Sequence, residues 1–268
     1  MNGTRRSKAR LHKSIEHREL SKVPGVLEEG VFTVLYGATP CEQDVVDPYI
    51  YRKLYILMLP ASRRHPVRLL SSTGTKRMPG WGQCMAGEVQ ETAAILHGSG
   101  AMAEILEEMQ PRHTPGQQHQ STSAAKVVGE GVYVFYAYDG TSVRMLTRLY
   151  NKAVSEFPKS AQEEFGVFKT GDFAIDIRNP WKDTSGNNDP QQRVAYPTDY
   201  KRCFQKPNTP QGAFMPLWAP LRETALLDYK HATFALTGRE PSWGMALIPP
   251  KYKETLFWTG YSYDVTVP

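Results

Sequence analysis

The run VYVFYAY at residues 132–138 constrains this chain more than any other stretch. β-Branched and aromatic side chains in unbroken succession fit a pleated strand, and Asp139-Gly140 directly after them reverses the chain. Beyond the turn, Val143, Leu146, Leu149, Tyr150, Ala153, Val154 and Phe157 recur at helical intervals, and Pro158 follows. That spacing predicts a helix from Thr141 or Ser142, either of which can cap it, to Phe157. FGVFKTGDFAIDI (165–177) supplies one or two further strands, so the unit reads β–α–β.

The remaining segments extend this reading. VFTVLYG (31–37) is a strand closed by Gly37, and Val67 to Leu70 is a short strand before Ser/Thr/Gly turn residues. YIYRKLYILML (49–59) follows Pro48 and reads as a helix running into a strand. Residues 88–97 and 101–109 read as helices separated by HGSG, with Met102, Ile105, Leu106 and Met109 on one face of the second. Residues 111–125 and 181–192 are loops by composition, 221–236 is a further helical region, and the C-terminal stretch offers two closing strands. The expected fold class is α+β: a mixed, largely antiparallel sheet backed by helices, in a single domain spanning 26–268 behind an arm at 1–25.

Charge separates that arm from the body. Arg5, Arg6, Lys8, Arg10 and Lys13 precede the first acid, Glu16; without these five, the 32 basic residues fall to 27, equal to the 27 acids. A basic arm on a neutral body suits an anionic partner, or serves as a solubilising tail. No apolar run reaches membrane-spanning length and no secretory h-region follows the basic start, so an intracellular location, cytoplasmic or nuclear, with no membrane partner is expected. Cys41, Cys84 and Cys203 lack CxxC spacing, which argues against a disulfide framework and a four-cysteine metal site.

One segment departs from the neutral body. Between Asp47 and Glu88 there is no acid, while Arg52, Lys53, Arg63, Arg64, Arg68, Lys76 and Arg77 contribute seven positive charges. Tyr49, Tyr51, Tyr55 and Trp81 are interleaved with them, and Trp81 lies between two glycines. Cations that track phosphates and aromatic faces that stack bases, each stack contributing roughly 1–3 kcal/mol, are the components of single-stranded nucleic-acid binding. Arg144, Arg148 and Lys152, four apart, add a cationic stripe on the expected helix. Two structural alternatives stand beside this: the cations coat an edge strand, or they pair with Glu88, Glu91, Glu104, Glu107 and Glu108 in the base-free run that follows.

Catalytic signatures are sparse. Histidines 12, 17, 65, 97, 113, 119 and 231 show no metal-binding spacing, and no P-loop, nucleophile elbow or dinucleotide fingerprint is present. No cofactor or metal is expected. Asp172 and Asp176, with Lys169 or Arg178, resemble the acid-and-cation strand of metal-dependent nucleases.

The run from Val132 to Trp181, with its strand, Asp-containing turn and FKTGDFAIDIRNPW segment, resembles the basophilic-leukemia-expressed protein family across roughly 126–181. That resemblance implies a fold akin to the cap-binding translation-initiation proteins and an RNA-related role, with Trp81 as a stacking candidate. The sequence thus points to a non-catalytic module binding RNA or another polyanion. Its alternatives are an accessory subunit of a larger assembly and a metal-dependent nuclease or transferase.

Overall fold

A computed structural model describes residues 25–38, 52–62, 64–74, 77–93, 126–151, 159–182, 194–204 and 216–240. Among the described residues nine strands carry the fold: β1 (Val26–Ala38), β2 (Arg52–Pro60), β3 (Val67–Thr73), β4 (Cys84–Ala93), β5 (Lys126–Ala137), β6 (Val143–Leu149), β7 (Thr170–Arg178), β8 (Trp218–Pro220) and β9 (Thr233–Arg239). The one described α-helix is α1 (Lys159–Glu164). The sheet order is β6-β5-β1-β2-β3-β4-β9-β7-β8, and β6 also pairs with β7. Eight strands therefore close into an antiparallel ring, and β8 extends it along β7. The α+β sheet backed by helices is corrected to a closed β-barrel.

Two meanders make the ring. β1 to β4 pair in succession, as do β5, β6, β7 and β9, and the seams are β1–β5 and β4–β9. Closure removes the open edges that an eight-stranded antiparallel sheet would otherwise present.

Burial separates the two faces of the wall. One set of alternating residues is buried on all eight strands; it includes Phe32, Ile56, Leu70, Met85, Phe135, Met145, Ile175 and Phe234. This set is the interior, since an eight-stranded barrel is just wide enough for its own side chains to fill. The opposite set is buried on β1, β2 and β5, as at Leu35, Leu57 and Val134, but partly exposed over most of β4, β7 and β9. It is the outer surface, covered along one side. Each large apolar side chain withdrawn from water contributes about 1.5–3 kcal/mol.

Connections plug both mouths of the barrel. At one mouth the Met78 N–H donates to the Phe165 carbonyl at 2.8 Å, and Phe165 stacks on Tyr36 with ring centroids 4.6 Å apart. At the other, Leu221 is clamped between Val143 and Ile175 by backbone hydrogen bonds of 2.7 and 2.8 Å. The 3₁₀ turn Thr224–Asp228 buries Leu226 and Leu227 there, and the Tyr196 hydroxyl donates to the Leu226 carbonyl at 3.0 Å.

Strand takes over much of the expected helices where the structure describes them. β6 replaces the helix begun at Thr141 or Ser142. Its Val143, Met145 and Leu149 face inward while Arg144, Leu146 and Arg148 face outward, and Leu146 is buried under the covered side of the wall. An apolar residue buried on each face makes a strand mimic helical periodicity. β4 replaces the first part of the 88–97 helix, with Met85, Gly87 and Val89 inward. Within 221–236, only a 3₁₀ turn is helical before β9 begins. The 49–59 segment is strand from Arg52 onward. The 101–109 helix, the arm and the two closing strands lie outside the described residues.

Candidate functional site

The described cations of the expected basic surface lie on different parts of the barrel. Arg68, its central cation, lies on the inward face of β3 and is fully buried. Its Nη1 and Nη2 donate to Glu28 Oε1 and Oε2 at 2.6 and 3.0 Å, and its Nε donates to Asp228 Oδ1 at 2.7 Å. Tyr133 donates its phenol to Glu28 Oε1 at 2.7 Å, and His65 Nδ1 lies 2.9 Å from Asp228 Oδ2. Burial and the Glu28 charge push the Tyr133 phenol well above its ordinary range, so it stays a neutral donor. Arg68 is therefore a structural cation at the barrel mouth and offers nothing to a phosphate. Its described partners are Glu28, Asp228 and the Thr224 carbonyl rather than Glu88, and Glu88 itself accepts from or shares a proton with His231 Nδ1 at 2.7 Å.

The remaining cations divide between the two mouths. Arg64 is exposed in the β2–β3 connection beside the Arg68 cluster. Arg52 and Lys53 begin β2 at the opposite mouth. Arg77 is exposed at that same opposite mouth and donates from Nη2 to the Glu163 carbonyl at 3.2 Å. Arg144 and Arg148 do share the outer face of β6. However, Arg144 Nη1 sits 3.5 Å from Asp172 Oδ2, and its guanidinium carbon lies 3.3 Å from the Tyr138 ring centroid. Arg63, Lys76 and Lys152 lie outside the described residues.

Trp81 is 78% exposed, and its surroundings hold it out. It forms a parallel bridge with Gly238 at the end of β9. The Gly82 N–H donates to the Gly238 carbonyl at 3.0 Å, the Gly238 N–H to the Gln83 carbonyl at 3.0 Å, and the Gln83 N–H to the Gly80 carbonyl at 2.9 Å. Gln83 Oε1 accepts from the Gly80 N–H at 3.0 Å. A side chain added at Gly238 would strike the carbonyls of Gly80 and Pro79, so this close approach requires glycine. Gly82, at φ +72°, completes the turn in the left-handed region. Phe168, 53% exposed on the connection into β7, is at the same mouth.

The carboxylate pair gives no metal site. Asp172 and Asp176 share the outer face of β7 but stand four residues apart, about 13 Å along a strand. One ion holds oxygen ligands at about 2.0–2.6 Å, so the two cannot share it. Asp172 is buried beside Arg144 and Tyr136, while burial raises Asp176 with Arg239 opposing. Among the described residues no group of three His, Cys, Asp or Glu side chains is placed to hold a metal ion, and no helix is long and apolar enough to cross a membrane.

Sequence reasoning passed over the Glu28–Tyr133–His65–Asp228 cluster and the exposed Phe168. A glutamate pair at a strand start carries no signal of partners 40 and 105 residues away. Comparisons with protein-family models, with curated proteins and with solved structures find no match.

Proposed function

We propose that this barrel is a non-catalytic accessory module that docks on a protein partner through the mouth carrying Trp81 and Phe168. The observation that carries the reading is an indole 78% exposed on a turn pinned by four hydrogen bonds. An aromatic anchor on a fixed backbone turn has no loop to order on association, and exposed aromatic residues of this kind dominate interface energetics. The interior is filled by its own side chains, so the barrel lumen is not the binding surface.

RNA or another polyanion is the second reading, favoured by the same indole with Arg77 nearby and by the basic arm. Against it, Arg68 is spent internally, Arg144 faces a carboxylate, and Arg64 lies at the far mouth, so among the described residues no continuous cationic track runs beside the indole.

The two separate in one experiment. A photo-crosslinking amino acid at position 81 of the full chain, activated in cell extract, should give a discrete protein adduct that survives ribonuclease. A control placed at exposed Pro197 should not. Ribonuclease-sensitive adducts at position 81 would establish the RNA reading instead, and absence of any adduct would overturn both.

A further inference from the structure

We draw no further inference here: the strongest candidate, the side-chain cluster at the Arg68 mouth in which His65 lies between Asp228 Oδ2 at 2.9 Å and Thr224 Oγ1 at 3.5 Å, belongs to the buried polar cluster already described, and with Thr224 and Arg68 both buried nothing among the described residues points to a ligand there.

Discussion

Arg68 and Glu28 face each other across β2, joined by two hydrogen bonds of 2.6 and 3.0 Å with both side chains fully withdrawn from water. The pair, with Asp228 and Tyr133, is the polar plug of one barrel mouth.

Breaking that plug from one side is expected to be costly. Arg68→Met leaves Glu28 and Asp228 as uncompensated charges and should lower unfolding free energy by about 3–5 kcal/mol. Arg68→Met combined with Glu28→Gln removes the buried charge as well and should recover part of the loss. Urea denaturation of the single and double variants measures both; a double variant weaker than the single one by the full Glu28→Gln effect would show the two residues to be independent.

Glu29, next in the chain, faces outward but is buried, and its Oε2 has no hydrogen-bond partner. Burial pushes its carboxyl up to about 7 from 4.5. Because the folded value lies above the unfolded one, the folded chain binds the proton more tightly, and stability falls as pH rises from about 4.5 to about 7. Glu29→Gln should therefore stabilise the protein at pH 8 by about 1–2 kcal/mol and change little at pH 4, a figure reduced from the full shift for residual solvent screening. Thermal melts of both forms from pH 4 to 8 check the crossover.

Asp139 works in the opposite direction. The Thr141 N–H, then the Ser142 and Thr141 hydroxyls, hold its carboxyl down at about 2 from 3.8. Its contribution is present above about pH 3.8 and disappears as pH falls through 2. Asp139→Ala should depress the denaturation midpoint by a constant amount from pH 5 to 8, and the gap should shrink below pH 4. A gap that is constant down to pH 2 would mean that the charge plays no part in the turn.

Gly238→Ala places a methyl group against the Gly80 and Pro79 carbonyls, backbone atoms that cannot rotate away. Overpacking of this kind costs about 1–3 kcal/mol, and the 79–82 turn must shift. The Trp81 contribution to fluorescence, isolated by subtracting the spectrum of Trp81→Phe, should change with it, whereas Gly140→Ala, with open space around it, should leave that signal alone.

These residues also show what the sequence could and could not announce. β1, β5 and β7 are legible because aromatic and β-branched residues crowd them, β3 because a short apolar run meets Ser/Thr/Gly turn residues, and the Asp139-Gly140 reversal because its chemistry is local. β6 was not: Leu146 is apolar on the outer face, and that burial comes from elsewhere in the chain. β4 was hidden by Gly87 and Ala86, which weaken the alternation that Met85 and Val89 begin. The Trp81 prominence was suggested by its flanking glycines, but its support at Gly238 lies 157 residues on. The cationic segment is opaque for the same reason: position along the chain does not show where a charge is spent, and Arg68 spends its own on residues 40 and 160 positions away.

The ring closes through two seams, and neither joins consecutive strands: Cys84 meets Thr237 at one, and Val26 meets Tyr136 at the other. Each four-stranded half alone would expose two raw edges and half of an apolar lining, so stability belongs to the zippered whole. The seams, and the β7–β9 pair within the second half, join segments far apart in the chain, and pairings of that kind order long stretches of backbone before any contact rewards them.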